Sequence, residues 1–404
     1  MSRKTRGSLI NPNEVTIVHA VAKTARNLFL LGEDFATRTQ NSHRKVWIVD
    51  ILEFQSSLMA IDLLDFCVMD NHIHQVLRSR PDVVKKWSNR EVARRWLTLC
   101  PKSKKRLKVD DTVQYVPIPP KDEQIDTLAK NKKRIKKIRE QLSSISWWMR
   151  LCCQKVAQRA NREDGGSKGP FWKGRFHATV IEDLDYLLGC CLYVDLNAVQ
   201  AAIAQGIDDY DFTSAKIRLD MIRSKQKAKE DEQAPAVNQP QSENETVPIE
   251  SSPKESASQA QENTEGKDRK KKTPMSISNL SKGEFMSLVK LETASNDPQL
   301  HKDGYRCSDK GFLDYTVEEY LDALRWCIKN KLFRADATIP EDVPECLKKH
   351  RLGPELVLRQ AREFGELYRY RAGCKPDPDA QRDSSDDRAS ESGRSSGPEG
   401  TQAQ

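Results

Sequence analysis

Asp65-Phe-Cys-Val-Met-Asp-Asn-His-Ile-His-Gln-Val-Leu77 reads as two strands closed by a tight turn. Leu63–Met69 is an apolar run, Asp70-Asn71 are turn formers, and His72–Arg78 resumes as a strand. Upstream, Val15-Thr-Ile-Val-His-Ala-Val21 predicts another strand. Between them, Lys45–Met59 carries Val46, Ile48, Val49, Ile51, Leu52, Phe54 and Leu58, the stripe of an amphipathic helix. The order is therefore strand–helix–strand–strand, with a hairpin between the last two.

Further along, a helix is predicted over Pro81–Leu99, opened by Pro-Asp. A lysine-rich stretch, Lys102–Lys108, and a proline-rich turn, Pro117–Pro120, follow. Ile135–Arg162 predicts one long helix with Ile145, Trp148, Met149, Cys152 and Val156 on its buried face. The glycine-containing run from Asp164 to Pro170 ends it. A short strand within Phe171–Ile181 and a helix over Leu184–Ala204 complete the segment.

Two groups of residues carry chemistry. Strand side chains alternate, so His72 and His74 project from one face while Ile73 points into the core. Two imidazoles so placed can chelate a divalent cation, although the same pattern fits two polar residues on a wet face. On the last helix Tyr193 and Asn197 are four apart and share a face, with Cβ atoms ~6 Å apart. Tyr186 lies one heptad earlier near that face. A phenol beside an amide suggests a nucleophile beside a metal ligand; an ordinary tyrosine at the core edge has the same spacing.

The run from Asp65 to Leu77 resembles the His-hydrophobe-His strand of single-tyrosine HUH insertion-sequence transposases, and above all of the REP-associated tyrosine transposases. Phe171-Trp-Lys-Gly-Arg-Phe176 is similar to their W-x-G-R-F segment, and Tyr193 through Asn197-Ala-Val199 to their tyrosine helix. The three motifs occur in the family's order across residues 14–214. The sequence departs from the family at Asp70 and Ala198, where members often carry proline, and at Asn197, where some carry glutamine.

The resemblance implies an α+β fold, a ferredoxin- or RRM-like antiparallel sheet flanked by helices. It implies cleavage and rejoining of single-stranded or hairpin DNA through a 5′-phosphotyrosine. Tyr193 would be the nucleophile, with His72, His74 and Asn197 holding Mg²⁺ or Mn²⁺. Trp172, Lys173 and Arg175 would contact DNA. Arg44 with Lys45, Lys102–Lys108 and Lys132–Arg139 are further basic candidates, and His19 is a candidate neighbour of the site. A homodimer that exchanges the tyrosine helix is compatible with this scheme. Two other functions share much of the pattern: another HUH nuclease, such as a replication initiator or relaxase, and a domesticated DNA-binding protein that no longer cleaves.

Bulk properties agree with such a chain. Its 404 residues allow more than one domain, and the net charge of +8 tilts it toward a polyanionic partner. The 10 cysteines include no C-x-x-C pair, which points to reduced thiols in a cytoplasmic protein. No stretch approaches the ~18 apolar residues of a membrane span. Composition turns polar over 224–272, expected as a disordered linker, and again over 375–404, expected as a disordered tail. Periodicity between them predicts a small helical accessory domain over 277–372, with a helix over Tyr315–Lys331.

Overall fold

The structure, a computed structural model, describes residues 9–34, 38–109, 112–166, 169–233 and 304–373, together with 286, 287 and 289. Its centre is a five-stranded sheet: β1 (Ile17–Lys23), β2 (Ile61–Val68), β3 (His72–Ser79), β4 (His177–Ile181) and β5 (Arg371–Ala372). The spatial order is β2-β3-β1-β4-β5. The pairs β2–β3, β3–β1 and β1–β4 are antiparallel; β4–β5 is parallel. Helix α1 (His43–Leu58) links β1 to β2, so the first four strands and their helices have the β-α-β-β-α-β order of a ferredoxin-like α+β fold.

Helices cover both faces. Ile73, Gln75 and Leu77 of β3 face α1 and α6 (Ile145–Glu163), where Trp148 is fully buried and donates its indole N–H to Gln75 at 2.7 Å. Gln55 of α1 donates to the Trp148 carbonyl at 3.1 Å. The opposite face, bearing His72, His74 and Val76, packs under α7 (Asp185–Gln200).

Several helix expectations divide in the structure. Pro81–Leu99 becomes α2 (Pro81–Lys86) and α3 (Asn89–Leu99), because Ser88 turns extended and caps α3 by accepting from the Glu91 N–H. Helix α4 (Asp122–Lys130) follows a hairpin built on the lysine-rich stretch, Lys104–Val109 paired with Thr112–Pro117. Ile135–Arg162 becomes α5 (Lys132–Leu142) and α6, interrupted where the Ser144 hydroxyl accepts from the Trp147 N–H. Helix α8 (Ser214–Gln233) runs through the first ten residues of the expected linker. The rest of that linker and the tail beyond 373 lie outside the described residues.

Of the small accessory domain expected over 277–372, the described residues 304–372 fall in the same compact unit as the sheet. Helices α9 (Val317–Lys329), α10 (Glu345–Lys348) and α11 (Gly353–Leu367) lead into β5, which extends the sheet edge through Val180 N–H to Tyr370 O and Glu182 N–H to Ala372 O, both 2.8 Å. A buried clasp joins the same region to β2. Asp62 accepts from Arg78 and Arg80 of the β3 end and from Ser308 and Cys307, all at 2.8–3.0 Å. Such a carboxylate, once buried, requires this many donors.

Candidate active site

Strand register assembles the site. In antiparallel pairs facing residues share a side, so Lys23 opposite His72, Val21 opposite His74 and His19 opposite Val76 place His19, Lys23, His72 and His74 on one face. His177, opposite Val21 on β4, joins that face. Helix α7 lies over it and carries Tyr193 to the imidazoles. The Tyr193 ring meets His74 edge-on at 5.6 Å between centroids and His19 at 5.9 Å. His72 and His74 lie 4.8 Å apart. Tyr193, His72 and His74 of one chain thus come together.

Hydrogen bonds orient the two imidazoles. His74 Nδ1 is 2.9 Å from His19 Nε2, so one of these rings donates to the other. His72 Nδ1 is 2.6 Å from Asn71 Oδ1. His74 Nε2 is buried without a hydrogen-bond partner among the described residues. Burial holds all three histidines neutral. It is the main cause that pushes His19 down to about 3 and His72 to about 4, with Lys23 adding to the effect on His72 against Asp70. His74 lies well below the ordinary value, through burial and then His72, His19 and Lys23. Neutral imidazole is the ligand form of histidine.

A divalent cation fits this donor set in part. The unpaired buried Nε2 of His74, beside a second imidazole whose Nδ1 is already engaged, has the arrangement of two ligands with outer-shell support. Imidazole suits Mn²⁺ better than Mg²⁺, which prefers oxygen. Among the described residues no group of three or more His, Cys, Asp and Glu side chains is placed to hold a metal. Asn197 does not complete the set: it is buried, and its Nδ2 donates back to the Tyr193 carbonyl at 2.6 Å.

Tyr193 itself is covered. Phe364 of α11 packs on its ring at 6.2 Å, and a Cβ built on Gly365 would stand 3.2 Å from the phenol oxygen. The phenol makes no hydrogen bond among the described residues. Burial, followed by the charges of Cys190, Glu366 and Cys67, pushes it up to about 12. Tyr186 is elsewhere, buried against Tyr368 at 5.5 Å.

The expected DNA contacts separate into two kinds. Lys173 and Arg175 are exposed, and the Lys173 N–H bonds the Lys23 carbonyl at 2.8 Å, which sets this loop at the His72 end of the sheet. Trp172 is half-buried, packs on Phe171 and donates its indole N–H to Cys153 O at 2.8 Å, so part of it serves the fold. Arg44 and Lys45 are committed to the fold: both are buried, Arg44 pairing with Glu163 and Asp164, and Lys45 with Asp70 at 2.5 Å. Asp70 in turn explains Gly32, where any Cβ would overlap its carboxyl group.

Lys23, Phe364 and Gly365 escape a reading by motif. Strand alternation from His19 does give Lys23 its face, but the pairing with His72 is a property of the sheet. Nothing in the periodicity of 353–367 marks it as a cover for a residue so distant in sequence. No protein-family model, no curated protein and no solved structure matches this chain.

Proposed function

We propose that this protein is a metal-dependent tyrosine transposase that cleaves and rejoins single-stranded or hairpin DNA in the cytoplasm, with the nucleophile and the imidazoles supplied by one chain. The observation that carries this reading is the edge-on placement of Tyr193 against His74. It is what a phosphoryl-transfer site of the family that the motifs resemble would need. Among the described residues no helix is long and apolar enough to cross a membrane.

In this scheme Tyr193 attacks the scissile phosphorus. Its Oη–phosphorus bond forms, the bond to the 3′ oxygen breaks, and the proton given up by the phenol returns through solvent to that oxygen. The covalent link conserves the phosphodiester, so rejoining needs no nucleotide cofactor. A Mn²⁺ or Mg²⁺ ion held by His72 and His74 would polarise the phosphoryl oxygen. Lys23 and Lys173 supply positive charge at the edge where a phosphate enters. Burial pushes the phenol up to about 12, and a metal's charge with nearby Lys or Arg would favour the phenolate once substrate is bound.

The covered phenol favours a second reading, a DNA-binding protein that keeps the fold without cleaving. One experiment separates the two. Protein, Mn²⁺ and a single-stranded end substrate should yield an adduct that survives denaturation, with the nucleotide mapped to Tyr193. An adduct on Tyr186 would move the nucleophile to that tyrosine; no adduct despite bound metal and DNA would overturn the transposase reading in favour of the non-cleaving one.

A further inference from the structure

The helical layer on the far side of the sheet from Tyr193 holds two tryptophans that the fold leaves half-exposed. Trp148 of α6 turns inward to Gln75; its neighbour Trp147, about 100° away around the helix, turns outward. Trp147 meets Trp96 of α3 edge-to-face at 5.7 Å. A guanidinium lies over each ring: Arg150 at 4.9 Å from Trp147 and Arg134 at 5.7 Å from Trp96.

Nearby arginines are consumed by the fold. Arg90 pairs with Asp122 and Asp126, Arg94 and Arg95 with Glu91, and Arg139 donates to the carbonyls of Val84 and Trp87. Arg134 and Arg150, by contrast, pair with no carboxylate among the described residues. Helix α5, which carries Arg134, reads Lys-Lys-Arg-Ile-Lys-Lys-Ile-Arg-Glu-Gln-Leu, with Lys132, Lys133, Lys136 and Lys137 exposed and Glu140 as its one carboxylate.

We propose that Arg134, Trp96, Trp147 and Arg150, with the exposed lysines of α5, form a second binding surface for single-stranded nucleic acid on the face opposite Tyr193. Charge complementarity calls for a polyanion. The paired indoles and flat guanidinium groups specify one with bases, because they offer planes for stacking that a row of carboxylates would not use. The surface lies a sheet's thickness away from the imidazoles, so it holds a different stretch of strand from the one at Tyr193. It does not rest on Tyr193 chemistry.

The test uses the full chain in EDTA, where no metal-dependent cleavage can contribute. Anisotropy of a labelled oligothymidylate of about 30 nucleotides is followed from about 50 to 200 mM salt for wild type and for Arg134→Gln/Arg150→Gln. Arg150 is exposed and Arg134 partly so, and neither has an ion pair among the described residues, so the variant should stay folded and lose only the stability of its two cation–π contacts. Affinity at ~0.1 M salt should fall about tenfold, and the log–log salt slope should drop by about 1.4, ~0.7 for each single-strand phosphate no longer neutralised. Unchanged affinity and slope in a folded variant would overturn the proposal. So would competition by poly-L-glutamate as strong as that by unlabelled oligonucleotide, which would make the surface one for acidic protein. Failure of the Tyr193 adduct assay would leave either result intact.

Discussion

At the scale of single residues, the imidazoles and the phenol of the candidate site are neutral. Burial strips the proton from three histidines and keeps it on the phenol, so these four groups are uncharged before substrate arrives. Charge must come from Lys23, from Lys173, and from what binds. Tyr193→Phe is a clean probe here, because the phenol oxygen makes no hydrogen bond among the described residues. The variant should match wild-type stability within about 0.5 kcal/mol in denaturant titration and bind DNA normally, yet form no adduct. Tyr186→Phe should retain adduct formation, since Tyr186 faces Tyr368 rather than the imidazoles.

At the scale of elements, α7 is gripped from both sides. Towards α11 the grip is close packing. A Cβ on Gly189 would fall 2.2 and 2.6 Å from side-chain atoms of Gln360, so the two helices approach through a glycine. Gly189→Ala should destabilise by about 1–3 kcal/mol, and Gln360→Ala in the same chain should recover much of that, because the truncated side chain leaves room for the methyl. A double-mutant cycle on melting temperature checks it. Towards β2 the grip is electrostatic. Asp195 accepts from Tyr320 at 2.7 Å and from Ser214 at 2.8 Å, and the Tyr320 hydroxyl also lies 3.2 Å from Asp65.

Asp65 and Asp195 are both raised, Asp65 well above the usual carboxylate range, by burial first; for Asp65 the charge of Asp195 comes next, and Arg218 opposes in both. The folded state therefore holds more protons than the unfolded one. Stability from this pair is full below the ordinary aspartate range and falls as pH rises toward the folded value. Asp65→Asn imitates the protonated form and leaves Asp195 to balance Arg218. The variant should gain melting temperature relative to wild type as pH rises, by roughly 2–4 °C at pH 8, the response to ~1 kcal/mol in a domain of this size. A difference that shrinks with rising pH would contradict the assignment.

For the whole molecule, the sheet and residues 304–373 are one body rather than a catalytic domain with an appendage. Asp62 shows why. Burial works to raise it, but Arg78 and Arg80 hold it below the usual carboxylate range, and it also accepts from Cys307 and Ser308. Asp62→Ala strands two buried guanidinium groups and should cost about 3–5 kcal/mol. In calorimetry the sheet and residues 304–373 should unfold in a single transition that Asp62→Ala lowers as a unit. A separate transition for 304–373, insensitive to Asp62, would show that the clasp does not couple them.

What the sequence determined by itself is local. Turn residues and two-residue alternation specify the hairpin at Asp70-Asn71 and put His72 and His74 on one face, because those properties depend only on near neighbours. Helical spacing alone placed Tyr193 and Asn197 on one helix. The tertiary structure decided the rest. It chose His19 rather than Asn197 as the close companion of His74, because strand register brings β1 beside β3 while Asn197 spends its amide on its own helix. It sent Arg44 and Lys45 inward to carboxylates and left Arg134 and Arg150 against indole rings on the far face, since the fate of a basic side chain depends on what its helix packs against. It also laid α11 over Tyr193. That contact joins residues about 170 positions apart, and no periodicity within either segment records it, because packing across such a separation is settled only when the chain closes on itself.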